Sequence, residues 1–525
     1  MLDPVGLTWA QPAVVAPEIP PPARASIGPG PTREPVNIGS DLQLFLDELV
    51  VERLSGAAGY RIHHPIPRET VLEFDRPWEG SGSGFHTVFT DGDIYKMYYR
   101  GGQMLLETGK RISQAHPHVM CYAESQDGIT WTRPKLGLYE FNGSKDNNIV
   151  LANGDLGGLK LELGDNAVMF KDENPAVKTD ERYKALALSE KPKGLVPLKS
   201  SDGIHWLPMA LAPVITNGEL DSHNVAFWDS VRREYRAYWR YYIRNVGSAE
   251  GSKPRSVRAI RTAVSQDFLT WTNEQDLSYD DGIIEHLYTG KILPYYRARQ
   301  VLVGFPSRYI ERGWSPAMRE LPDATDRRSR AAISERYGTA LSDTLLIASH
   351  DGVRFKKWDE TFLRPGIEQS GTWAYGDSFM AWGIVEAKSL IKGAPRELAM
   401  YASEGYWLGS STSLRRYTLR VDGFVSVSAT RKGGELLTRP VVFRGEQLIL
   451  NFSSSAAGRI RVEVQGLDGN PLPGLALDQC DDVFGDTLER AVTWNGKDRL
   501  AGRAGTPVRL RFVIEDADLY SFVVR

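Results

Sequence analysis

Ser125-Gln126-Asp127-Gly128-Ile129-Thr130-Trp131 is one of five copies of a short signature. The others are Ser200-Ser201-Asp202-Gly203-Ile204-His205-Trp206, Ser265-Gln266-Asp267-Phe268-Leu269-Thr270-Trp271, Ser349-His350-Asp351-Gly352-Val353-Arg354-Phe355 and a degenerate Arg420-Val421-Asp422-Gly423-Phe424-Val425. The third copy lacks the Gly, and the fifth lacks the Ser and the Trp. Successive aspartates stand 75, 65, 84 and 71 residues apart, so the repeating unit is a supersecondary block. Asp-Gly suits a tight turn, because Gly takes positive φ freely and Asp tolerates it, and the aromatic after it can open an outer strand. A repeated turn-plus-aromatic is the mark of a propeller blade.

A pair of β-rich runs precedes each signature. They are Thr87 to Thr90 with Tyr95 to Arg100, Ala167 to Phe170 with Tyr183 to Leu188, Val225 to Trp228 with Tyr235 to Arg240, Gly290 to Pro294 with Val301 to Phe305, and Ala381 to Val385 with Leu398 to Tyr401. Two strands before the turn and further strands around it make about four per unit, the number a blade needs. The fold class expected is all-β, a five-bladed β-propeller over about residues 39–430 followed by a small β-sandwich over 431–525. A sandwich of similar length requires no repeat at this period. In the C-terminal part, Gln447 to Phe452, Arg459 to Val464 and Val508 to Ile514 read as short strands separated by turns such as Asp468-Gly469-Asn470.

The 525 residues are 42% hydrophobic and 25% charged, as expected of a globular chain with more than one domain. A formal net charge of −3 supplies no field for nucleic acid or an anionic membrane, and no apolar run approaches the length of a membrane helix. Cys121 and Cys480 are the only cysteines and fall in different expected domains, which argues against a disulfide or a cysteine zinc site. Residues 1–38 carry nine prolines and read as an extended arm. A secretory leader is not evident there, since the first basic residue is Arg24 and Pro12 interrupts a short apolar stretch, and this leaves export open. The strand expected at Leu42 to Leu46 would close the ring by completing the last blade.

Leu44-Phe45-Leu46-Asp47, Arg76-Pro77-Trp78-Glu79, the Ser-x-Asp-Gly-x-x-Trp signatures and the C-terminal strands together resemble bacterial proteins similar to glycoside hydrolase family 32. The wider likeness is to the five-bladed superfamily that also holds families 43, 68 and 130. It implies a carbohydrate-active propeller with carboxylate acid/base chemistry in its channel and no cofactor. That family's Glu-Cys acid has no counterpart here, because Cys121 follows Met120 and Cys480 follows Gln479.

In a propeller the residues just before each innermost strand converge at one mouth of the channel. Those positions hold Glu79 and His86, Asp165, Glu219 with Asp221 and His223, Glu285 with His286, and Asp377. Trp78, Tyr288, Trp373 and Tyr375 lie beside them, and sugars pack on aromatic faces while carboxylates hold their hydroxyls. The expectation is a glycosidase with Asp165 as base or nucleophile, Glu285 as acid and Asp221 as a stabilising or sugar-binding carboxylate. Arg100, Arg240 and Arg308 end the second strands of three blades, ready for an anionic group if they reach the pocket or for bridging between blades if they do not. With near-balanced charge, a neutral oligosaccharide is the expected partner. His116-Pro117-His118 reads as an exposed hairpin, because nothing at a suitable spacing completes a metal site. A glycoside phosphorylase and a noncatalytic sugar-binding propeller are the alternatives, which fold alone does not separate.

Overall fold

The computed structural model describes residues 34–107, 110–246, 255–497, 500 and 502–525; most of the proline-rich arm lies outside the described residues. Five antiparallel blades form the propeller. Blade one is Gly84–Asp91, Ile94–Gly101, Val119–Ser125 and Ile149–Leu151, and blade two is Leu163–Lys171, Tyr183–Glu190, Lys193–Ser200 and Leu207–Pro208. Blade three is Val225–Asp229, Glu234–Val246, Arg255–Ser265 and Trp271–Asp276, and blade four is Leu293–Tyr295, Ala298–Gly304, Ile347–Ser349 and Arg354–Lys357. Blade five joins Phe379–Met380 and Val385–Ala387 to Glu397–Glu404 and Ser413–Arg420, and its outermost strand is Ile66–Glu73.

The ring is thus closed by an N-terminal strand, but not by the one expected. Only Gln43–Leu44 of the Leu42 to Leu46 run is strand, and it pairs with Ser521 and Phe522 in the C-terminal sheet. Ile66–Glu73 takes the outer edge of blade five, from Ser413↔Glu73 to Thr418↔Ile66. Near the axis, Thr87 of blade one bridges Trp382 of blade five, which closes the ring a second time.

The signatures explain how neighbouring blades lock. In the first, Asp127 Oδ1 accepts the Ile129 and Thr130 amides and Ser125 Oγ accepts that of Gly128, which holds the turn between the third and fourth strands. The Gly carbonyl then accepts a tyrosine hydroxyl from the second strand of the preceding blade: Tyr401 to Gly128 at 2.6 Å, Tyr98 to Gly203 at 2.9 Å and Tyr238 to Gly352 at 2.9 Å. Glycine is required because a Cβ at Gly203 would lie 2.5 Å from the Tyr98 hydroxyl, at φ +81°. The blade-three signature lacks the Gly, and the second strand of blade two lacks the tyrosine that would latch it. Phe268 sits there at φ 67° and packs in the same apolar cluster as Leu186 of blade two. The fifth copy makes no outer strand: buried Asp422 accepts from Tyr295 and Arg297, and the chain leaves blade five for the C-terminal sheet.

Both faces of each blade are buried, so successive residues serve different neighbours. Met97 and Tyr99 pack with Tyr401 and Leu414 of blade five, while Tyr98 between them packs with Met169 and Ala185 of blade two. One mouth is lined by Phe170, Phe227 and Trp382, with Phe227 stacked on Trp382 at 6.4 Å. The C-terminal sheet is built on two long strands, Leu448–Gln465 and Arg509–Val524, which break register near Ser454 and Arg459. The two runs read as separate strands at Gln447 to Phe452 and Arg459 to Val464 are its two halves. Val51–Gly56, Gly59–Ile62 and Val425–Ala429 also pair in this sheet, although they fall inside the span expected for the propeller. Leu450, Phe452 and Phe522 share one cluster with Val301 and Val303 of blade four and Leu398 and Met400 of blade five. No helix among the described residues is long and apolar enough to cross a membrane. Cys121 and Cys480 are both free and buried.

Blade four carries an excursion that accounts for the longest repeat spacing. The hairpin Ser307–Glu311 with Ala340–Thr344 encloses three helices, Pro316–Glu320, Ala324–Ala331 and Glu335–Thr339. Ser315 caps the first, its hydroxyl accepting the Met318 amide at 3.2 Å with Pro316 at the first helical position.

Tyr98→Phe is expected to lower stability by roughly 1–2 kcal/mol, since the buried Gly203 carbonyl loses its donor. Gly203→Ala should cost more, combining positive φ with the hydroxyl contact. Urea unfolding followed by tryptophan fluorescence reads both; a wild-type midpoint for Gly203→Ala would show that the latch does not hold the blades.

Candidate functional site

At the other mouth lies a cavity of about 260 Å³. It is lined by Asp165 and Asp221, by Arg100, Arg240, Arg258 and Arg336, and by His118, Gln114 and Met104. Tyr242, Tyr288, Tyr309, Tyr337, Tyr375, Tyr406 and Trp407 complete the wall. It opens past Asp165 and Asp221 into a wider mouth of about 690 Å³ edged by His116, Glu162 and Glu190.

Backbone irregularities aim the key groups. Blade two's inner strand slips register between Leu163 and Ala167, and Asp165 stands on that bulge. Blade one's inner strand slips between Gly84 and Thr87, where Phe85 adopts φ 54°. Cross-blade hydrogen bonds then fix the spacing: Asn166 donates to the Ser222 carbonyl at 2.7 Å, and Ser222 donates to the Tyr288 carbonyl at 3.1 Å. Blades two, three and four are chained together directly beneath the two aspartates.

Arg100 is 2% exposed and clamps Asp165 Oδ1 at 2.8 Å. Its other donors reach the Gly82 carbonyl at 2.6 Å and the Tyr406 hydroxyl at 2.6 Å, and its guanidinium lies 4.7 Å from the Phe85 ring centre. Burial raises the Asp165 carboxyl; Arg100 opposes that rise and the nearby Asp221 adds to it. About a quarter of the Asp165 side chain still faces the opening. Asp221 is 61% exposed and ion-paired to Arg240. Nδ1 of His118 lies 3.4 Å from Asp165 Oδ1, and burial, reinforced by Arg100, holds this imidazole down to about 2, so it is neutral.

The expected site residues fall into three groups. Asp165, Asp221, Arg100, Arg240, Tyr288 and Tyr375 meet in the cavity. His86 and His223 lie buried on the axis beneath it, where burial depresses both rings, His86 to about 3, and Lys291 bonds His223 Nδ1. The rest hold the scaffold. Glu79 accepts from Tyr99 at 2.5 Å and Arg133 at 2.9 Å, and Trp78 Nε1 donates to Asn148. Trp373 Nε1 donates to the Gly366 carbonyl. Asp377 accepts the Ala374 and Gly405 amides and thereby steadies the loops bearing Tyr375, Tyr406 and Trp407, while burial pushes its carboxyl up to about 8. His286 Nδ1 accepts the Arg258 backbone amide at 3.2 Å.

Glu285, the expected acid, does not line the cavity. Lys357 binds it at 2.5 Å and Arg308 approaches to 3.7 Å, while Arg308 is otherwise committed to Asp343. These two are an ion-pair network in blade four. His118 is also corrected, from an exposed hairpin to a residue 4% exposed against Asp165. Sequence reading missed Arg258, Arg336, Tyr309, Tyr337, Tyr406 and Trp407. The Ser315-Pro316 start signal marked the helical excursion that brings Tyr309, Arg336 and Tyr337 to the cavity.

No protein-family model matches the chain, and no curated protein matches it by sequence. Among solved structures, it is similar to an N-acetylgalactosamine deacetylase from F. plautii in complex with blood group B trisaccharide, at 12% identity and TM-score 0.36, over 89% of this chain and 96% of that one. An endo-arabinase from Bacteroides thetaiotaomicron matches at 9% identity and TM-score 0.37, over 67% and 98%. A β-1,2-mannobiose phosphorylase from Listeria innocua matches at 12% and 0.34, over 72% and 96%. Likeness at these values bears on no activity of this chain.

The His118 ring is expected to stay neutral from pH 8 to pH 4, because its depressed pKa puts protonation below that window. Selectively ¹³C-labelled histidine NMR checks it; a titration midpoint near 6 assigned through His118→Gln would contradict the burial argument.

Proposed function

We propose that the chain is a glycosidase in which Asp165 and Asp221 share the chemistry. The observation that carries this reading is two carboxylates in one cavity with opposed surroundings, Asp165 desolvated and Asp221 exposed beside Arg240. Such a division separates acid from base. The bond from the anomeric carbon to the departing oxygen breaks with its electron pair on oxygen, which takes the Asp165 proton. Asp221, ionised, attacks the anomeric carbon or draws the proton from an attacking water. The clustered tyrosines and Trp407 offer faces for a sugar ring. This assigns Asp165 the acid role that the sequence placed on Glu285. The likeness to family 32 extends to the superfamily level, and no fructan activity is proposed. A phosphorylase is the second reading, favoured by the arginines that converge with the acids in this cavity.

Asp165→Asn should slow cleavage of natural glycosides by roughly 10²-fold or more while sparing dinitrophenyl glycosides, whose leaving group needs little protonation. Asp221→Asn should slow both. Since Asp165 works protonated and its pKa is raised, activity should fall as pH rises through that pKa, and Asp165→Asn should abolish this alkaline limb. An oligosaccharide panel assayed with and without phosphate reads hydrolysis against phosphorolysis. Full activity in both asparagine variants would sink the proposal.

A further inference from the structure

Four arginines and two aspartates line the cavity. Arg100 is in contact with Asp165 and Arg240 with Asp221. Arg258 and Arg336 line the same space with no carboxylate in ion-pair range among the described residues. We propose that Arg258 and Arg336 form an oxyanion subsite, and that the substrate is an acidic glycoside whose carboxylate or sulfate ester is held there. This deepens the glycosidase reading and rests on it.

Arg258 is built into place. It stands opposite Tyr242 in the blade-three sheet, its backbone amide is held by His286, and its guanidinium lies 4.4 Å from the Tyr309 ring centre. Only 7% of it is exposed, and its Nε has no hydrogen-bond partner. Arg336 comes from the helical excursion, and both guanidinium groups lower the pKa of Tyr309 against the larger effect of its burial. Glu311 acts on that tyrosine in the opposite sense, but it neither lines the cavity nor pairs with either arginine.

Tyrosine faces stabilise the two cations without neutralising them. A buried guanidinium with an unused donor is therefore poised for an anion from outside, and its planar fork matches a carboxylate or sulfate.

The test reads binding rather than rate. In Asp165→Asn, calorimetry compares methyl galacturonide with methyl galactoside and methyl glucuronide with methyl glucoside, with inorganic sulfate and phosphate as free-anion probes. The acidic member of at least one pair should bind 10-fold or more tighter, with sulfate competing. Arg258→Met and the partly buried Arg336→Met should each erase that preference, lowering affinity for the acidic sugar by 10-fold or more and for its neutral partner by clearly less. No preference in either pair, or one that survives both arginine changes, overturns the proposal. Phosphate binding at this site, coupled to phosphate-dependent turnover lost in Arg258→Met, also overturns it in favour of phosphorolysis. Unimpaired turnover in Asp165→Asn alongside a retained acidic preference would fault the assignment of the acid and not the subsite.

Discussion

The pairing of Ile66–Glu73 with Ser413–Arg420 is the constraint on which the rest depends. Five twisted sheets arranged about an axis leave one open seam, and an unpaired edge there would expose a row of backbone donors and acceptors. An N-terminal strand fills it, and the bridge from Thr87 to Trp382 seals the same junction near the axis. Once the ring is closed, five inner strands must share one channel. The mouth with Phe170, Phe227 and Trp382 is packed with aromatics, while the other is left open and polar.

Closure by itself leaves the positions of individual side chains unset. Asp165 reaches the cavity because its strand carries a bulge, and its distance from blade three is governed by the Asn166 and Ser222 hydrogen bonds. Arg100 then spans three elements at once, the Gly82 carbonyl, Tyr406 of blade five and Asp165 of blade two. One buried guanidinium thus ties the ring's architecture to its candidate chemistry. The cost of desolvating it is offset by using its donors and by the Phe85 ring beneath it.

Residues of one type at equivalent positions have separate fates, and the reason is local supply of partners. Glu79, Glu285 and Asp377 are all expected at channel entries from their sequence positions, as Asp165 is. Arg133 and Tyr99 claim Glu79, Lys357 claims Glu285, and two loop amides claim Asp377. Asp165 is contacted by Arg100 and His118, yet about a quarter of its side chain stays exposed at the cavity.

The repeat was legible from residues alone because each signature is a local solution to a local problem. Asp127 satisfies the amides of its own turn, and the five strand pairs follow from runs that must be apolar on both faces. The aspartates at the entries were legible for the same reason, as a position within a repeating unit. What lay beyond the sequence was every interaction joining residues far apart in the chain. The closing strand, the capture of Glu285 by Lys357, the burial of His118 against Asp165 and the delivery of Arg336 by the helical excursion are of this kind. Each depends on which partner lies across a blade boundary, and that is decided when the ring closes, since hydrogen bonds and ion pairs act over a few ångströms of space regardless of separation along the chain.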